Sequence, residues 1–96
     1  MLKIGDFAKV CGLKNSTNLN GRHVEVMTDL LLMAVPEEDG VQREALRHGV
    51  RFVTDLRKTG YIRPENLEPL VDSGPGTYRA IWIHETGTEP PLAGEV

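Results

Sequence analysis

The clearest pattern in the chain is Arg22-His23-Val24-Glu25-Val26-Met27, where polar and apolar residues alternate with a period of two. That period places Val24 and Val26 on one face of a strand and His23 and Glu25 on the other. Upstream, Phe7 to Cys11 follows the turn signal Gly5-Asp6 and reads as a first strand, with Phe7 and Cys11 inward. Between the two lies a polar loop, Lys14 to Asn20, closed by Asn20-Gly21, a dipeptide that tolerates the backbone of a tight turn.

Leu30 to Val35 is an apolar run that either continues the second strand, forms a separate buried strand or makes a buried helical turn. Pro36 to Gly40 breaks it. Val41 and Ala45 on one face, Arg43 and Arg47 four apart and Gly49 at a capping position predict a short helix over 41–48. Val50 to Leu56 is β-branched and aromatic and predicts a strand, with Phe52, Thr54 and Leu56 on one face. Arg57 to Gly60 reads as a turn, and Tyr61 to Arg63 as a short return strand. Pro64-Glu65-Asn66-Leu67 has the form of one helical turn. Leu70 and Val71 start another strand, Ser73 to Gly76 is a loop, and Tyr78 to His84 alternates as a final strand. Domain boundaries follow: one domain over 1–85 and a flexible C-terminal tail over 86–96, rich in proline and glycine.

The expected fold class is therefore mainly β: a small barrel of five to six short antiparallel strands, with the short helix at 41–48. Its wording is more specific. Ile4-Gly5-Asp6, then Val10 and Gly12-Leu13, Leu19-Asn20-Gly21-Arg22, Phe52 to Leu56, and Ile62-Arg63-Pro64-Glu65-Asn66-Leu67 follow one another in an order that resembles a small SH3-like barrel domain. The match covers about two thirds of the chain. It departs from that family at Val24, where a glycine is usual, and at 28–49, an insertion between strands two and three. The resemblance implies a binding scaffold, not a particular partner.

Composition narrows the classes. Ninety-six residues with 40% hydrophobic and 26% charged content make one modest core. The lone Cys11 allows no intrachain disulfide, so the fold must stand on packing, which suits a reducing, cytoplasmic compartment. No apolar run is long enough to span a bilayer. Net charge is −3, but it is segregated. Basic residues dominate 1–24, and Glu25, Asp29, Glu37, Glu38 and Asp39 make 25–42 purely acidic. Arg43, Arg47, Arg51, Arg57, Lys58 and Arg63 make 43–63 basic again.

Two surfaces follow as candidates. Tyr61, Arg63, Pro64 and Asn66, with the acidic Glu37, Glu38 and Asp39 of the insertion, form the expected protein-binding surface. Arg43, Arg47, Arg51, Arg57 and Lys58 form the alternative, a nucleic-acid surface. The Gly5-Asp6 and Gly21-Arg22-x-Val-x-Val words are also similar to KOW-type barrels, which contact RNA or ribonucleoprotein. Phe52 and Tyr61 are the only aromatics within 43–63, which is not the regular interleaving that base stacking uses. A third reading is a small phage or mobile-element accessory protein. His23, His48 and His84 lack the spacing of a zinc site, and neither a nucleophile triad nor a phosphate loop can be assembled. The expectation is thus a non-enzymatic module without cofactor or metal, binding a protein partner, with self-association through a strand edge also open.

Overall fold

The computed structural model describes residues 2–37, 39–70 and 76–90. Its six strands are β1 (Phe7–Val10), β2 (His23–Val26), β3 (Leu31–Pro36), β4 (Gln42–Phe52), β5 (Asp55–Ile62) and β6 (Leu67–Pro69). One helix, α1 (Thr77–Thr86), follows, and single 3-10 turns occupy Thr17–Leu19 and Pro64–Asn66. Every pairing is antiparallel. The strands run β3-β4-β2-β1-β6, with β5 also paired to β4, in a sheet curled into a half-barrel. The mainly β class read from the sequence is the class observed.

The 11-residue β4 organises the molecule. Its first half, Gln42 to Arg47, pairs only with β3, from Pro36↔Gln42 to Leu31↔Arg47, and makes an arm. Its second half enters the barrel wall, where Val24↔Phe52 and Val26↔Val50 join it to β2, while His48↔Ile62 joins it to β5. The core lies inside this curl. Ala8, Val10, Val24, Val26, Val50, Phe52 and Leu67 are all buried, and Leu2 belongs to the same cluster. Valine suits a pleated, closely packed surface, and burying each such side chain contributes on the order of 1.5–2 kcal/mol.

Several expectations are corrected. The predicted helix at 41–48 is the first half of β4, so the 28–49 insertion is a β-hairpin. A spacing of four residues is one helical turn but also two strand periods, so Arg43 and Arg47 share a face in either conformation. The predicted strand over Tyr78 to His84 is helix α1. The same ambiguity applies: the Tyr78 and Trp82 rings, 5.9 Å apart, stack across one helical turn. Gly87, in the left-handed region, ends that helix by donating its N–H to the Ile83 carbonyl.

The inward face of β1 is also displaced by one residue, with Ala8 and Val10 buried and Phe7 only partly so. The strand expected through Val50–Leu56 instead turns at Val53-Thr54, and β5 begins at Asp55. Residues 57–60, expected as a turn, lie within β5. The ladder skips there, pairing Arg51 with Thr59 but Phe52 with Asp55, so the intervening residues leave the register. Leu70, expected to open a strand, lies just past β6, which spans Leu67–Pro69. Val71, most of the 73–76 loop, the Leu56 side chain and the tail from 91 onward lie outside the described residues. Thr86, assigned to that tail, is instead the last residue of α1.

Candidate binding cleft

Three segments distant in sequence meet on one side of the half-barrel. The first is the loop after β1, which includes Gly12, Leu13 and Leu19. The second is the tip of the β3–β4 arm, with Pro36, Glu37, Asp39, Arg43 and Arg47. The third is the end of β5 and the turn after it, from Lys58 to Asn66. Together they enclose an open cleft of about 900 Å3.

Two asparagines hold the first wall in place. Asn20 bridges the loop, accepting from Leu13 N–H and donating to the Leu13 carbonyl, both at 3.0 Å. Asn66 donates to the Cys11 carbonyl at 2.9 Å, and Cys11 N–H returns a bond to the Asn66 carbonyl at 3.0 Å. Gly12, at φ +71°, passes so close to Asn66 that a Cβ there would stand 3.2 Å from Nδ2. The Leu-Asn-Gly and Pro-Glu-Asn words noted in the sequence therefore fix the loop to the barrel. Cys11 is half-buried beside this junction, with Sγ 3.9 Å from the Glu65 carbonyl.

Opposite that wall stands a charge cluster centred on Glu37. Arg63 binds its carboxylate as a fork, Nε to Oε2 at 2.6 Å and Nη2 to Oε1 at 2.8 Å. Arg47 donates to Oε2 at 3.0 Å and Arg43 to Oε1 at 3.2 Å. Arg43 also holds Asp39 at 2.8 Å. The bonds from Arg63, opposed by partial desolvation and reinforced by Arg47 and Arg43, hold the Glu37 carboxyl down to about 2 from an ordinary 4.5.

Of the expected protein-binding residues, the cleft brings together Tyr61, Arg63, Asn66, Glu37 and Asp39. Pro64 opens the 3-10 turn beside them, and Glu38 lies outside the described residues. Tyr61 is half exposed. Of the alternative set, Arg43, Arg47 and Lys58 line the same cleft, with Lys58 Nζ 5.3 Å over the Phe52 ring. Arg51 instead pairs with Glu25 at 2.9 Å, and Arg57 is exposed on β5 outside the cleft. Glu37 was read as part of an acidic docking patch. Its position among three guanidiniums depends on the arm folding beside Arg63, 26 residues away, which no local pattern announces.

A second polar cluster was also invisible to the sequence reading. Glu85 on α1 accepts from Arg22 Nε at 3.0 Å, from Thr54 Oγ1 at 3.0 Å and from His23 through both its backbone and its ring. Burial raises the Glu85 carboxyl, but these donors outweigh it and leave it below its ordinary value. The cluster joins the helix to the barrel and lies apart from the cleft described above. Among the described residues, no three His, Cys, Asp or Glu side chains gather as a metal would require, and no helix is long and apolar enough to cross a membrane.

Fold and cleft define a small, mainly β domain with a basic-biased groove between a hairpin arm and the barrel wall. No family model, curated protein or solved structure matches the chain.

Proposed function

We propose that this protein is a non-enzymatic binding module of the small SH3-like barrel type, acting in the cytoplasm, and that it holds an extended segment of a partner polypeptide in the cleft. The observation that carries this reading is the convergence of Tyr61, Arg63 and Asn66 with the arm residues Glu37 and Arg43 around one open groove. Tyrosine supplies a large, half-exposed contact at small entropic cost, and such residues dominate binding energy where they line a groove. Among the described residues, the edge of β4 from 42 to 47 that faces away from β3 has no ladder partner, since β5 reaches only to His48. A free strand edge beside side-chain pockets suits an extended peptide.

The nucleic-acid alternative receives less support. Of the six basic side chains between 43 and 63, Arg43, Arg47, Arg51 and Arg63 already hold carboxylates of the chain itself. Arg57 and Lys58 are what remains for phosphates, with Tyr61 as the exposed aromatic among the cleft residues. Base stacking and a continuous basic track are both needed for single-stranded nucleic acid.

Selection from a displayed random-peptide library against the whole protein tests the reading. Peptides are expected to bind in the micromolar range, about −8 kcal/mol, and to lose at least about tenfold on Tyr61→Ala while the circular dichroism is unchanged. Failure to select any cleft-dependent peptide, together with oligonucleotide binding that falls steeply with salt, would replace this reading by the nucleic-acid one.

A further inference from the structure

The three guanidiniums around Glu37 carry more donors than its carboxylate and that of Asp39, which Arg43 also holds, can use. Each guanidinium has five N–H groups, whereas a carboxylate offers about four acceptor positions. Arg47 is 3% exposed, yet its Nε has no acceptor among the described residues, and one of its other donors is spent on the Arg43 carbonyl at 2.9 Å. A structural ion pair needs one arginine. Here three cations are gathered along the cleft around two carboxylates, Glu37 and Asp39, and like charges so placed repel unless anions are present. The cleft as a whole follows suit. Among the described residues that line it, Lys14, Arg43, Arg47, Lys58 and Arg63 against Glu37, Asp39 and Glu65 leave a balance of plus two, on a chain of net charge −3.

The Glu37 side chain is not needed to hold the turn that carries it. Its backbone is fixed by the hairpin turn, through Glu37 N–H to the Val41 carbonyl at 3.1 Å and Gly40 N–H to the Glu37 carbonyl at 2.9 Å. Neither bond involves the side chain. Rotation about the side-chain torsions vacates the seat while the arm stays closed, and an incoming carboxylate recovers the same charge-assisted bonds.

Building on the peptide-binding reading above, we infer that Arg43, Arg47 and Arg63 form the anion subsite of the cleft, and that Glu37 is an internal stand-in displaced by a carboxylate side chain of an acidic partner segment. A carboxylate is favoured over phosphate because the present occupant is one, held two oxygens to two nitrogens by the Arg63 fork. The tethered Glu37 lowers apparent affinity by the fraction of time the seat is filled, so removing it should tighten binding.

The probe is a hexaglutamate peptide with both ends blocked, titrated into the whole protein and followed by calorimetry and by the arginine Nε–H signals in NMR. Hexaglutamine and inorganic phosphate serve as comparison ligands. Glu37→Gln is expected to bind hexaglutamate at least about tenfold tighter than the unmodified protein. Glu65→Gln, which changes the net charge equally at the cleft rim, should gain less than about threefold. Adding Arg63→Gln to Glu37→Gln should abolish the gain. If Glu37→Gln loses the fold, Glu37→Asp, shorter by one methylene, should give an intermediate tightening. Equal affinity in the unmodified protein and a folded Glu37 variant, or phosphate binding tighter than hexaglutamate, would overturn the inference. Library peptides that bind the cleft without such a gain would sink it while leaving the binding-module reading intact. Absence of both kinds of binding removes the two together.

Discussion

The carboxylate of Glu85 accepts both the backbone N–H and the ring Nδ1–H of His23, at 2.9 and 2.7 Å. This pairing joins α1 to the first residue of β2, and Arg22 and Thr54 add their donors to the same carboxylate. Glu85→Ala leaves those donors without their acceptor, and His23 is buried. The expected loss is about 2–3 kcal/mol of stability, read as a lower urea midpoint. Glu85→Gln, which keeps an acceptor but not the charge, should lose about half as much. A change below about 0.5 kcal/mol for Glu85→Ala would mean that the helix does not dock on the barrel.

Acid should weaken the fold in a defined window. Glu37 is held down to about 2, chiefly by Arg63, and Asp39 is lowered chiefly by Arg43. Glu85 is lowered as well. A depressed carboxyl binds fewer protons in the native state than in the unfolded one, so its contribution is complete above the ordinary carboxylate range. It is lost as pH falls from about 4.5 towards about 2. Urea midpoints measured across that interval should decline, and Glu37→Gln should make the decline shallower. A flat profile would show that the cluster does not form.

Gly49 leaves no room for a side chain. A Cβ there would stand 2.9 Å from Thr28 Cγ2 and 3.2 Å from Thr28 Oγ1. Thr28 cannot rotate away freely, because its hydroxyl accepts from Gly49 N–H at 2.7 Å and donates to the Asp29 carbonyl at 2.9 Å. Gly49→Ala should cost about 1–3 kcal/mol by overpacking. Thr28→Ser, which keeps the hydroxyl and removes the obstructing methyl, should recover part of that cost in the double variant. Additive losses in thermal denaturation would refute the steric explanation.

Core and arm should differ sharply in sensitivity. Val24, fully buried, should cost about 2 kcal/mol on truncation to alanine. Leu32 and Leu46 face each other across the arm and are 63% and 50% exposed. Leu32→Lys should change monomer stability by less than about 0.5 kcal/mol. A large loss there would indicate that the arm's apolar face is covered in solution, which a concentration series in sedimentation would reveal.

Much of the barrel was legible because β2 alternates cleanly and because Asn20-Gly21 and Pro64-Glu65-Asn66 are local turn chemistry, determined within a few residues. Gln42 to Arg47 and Tyr78 to His84 were misread because their four-residue spacings fit either period. Tertiary pairing decided between them: six cross-strand pairs with β3 in one case, and the Gly87 cap with the Glu85 cluster in the other. Tyr61, Arg63 and Asn66 were singled out because they sit near a recognisable turn, and they line one cleft. The role of Glu37 was not legible, since its partners come from β4 and from beyond β5 and meet only once the sheet has curled.

The unbroken run of β4 from Gln42 to Phe52 has a mechanical meaning. Arm and wall are two ends of a single strand, and the one glycine between them, Gly49, is packed against Thr28. A guest in the groove therefore meets a fixed jaw and need not freeze a loose flap, which spares it an ordering penalty. Force applied at the arm tip would run along the strand axis into the valine layer beneath.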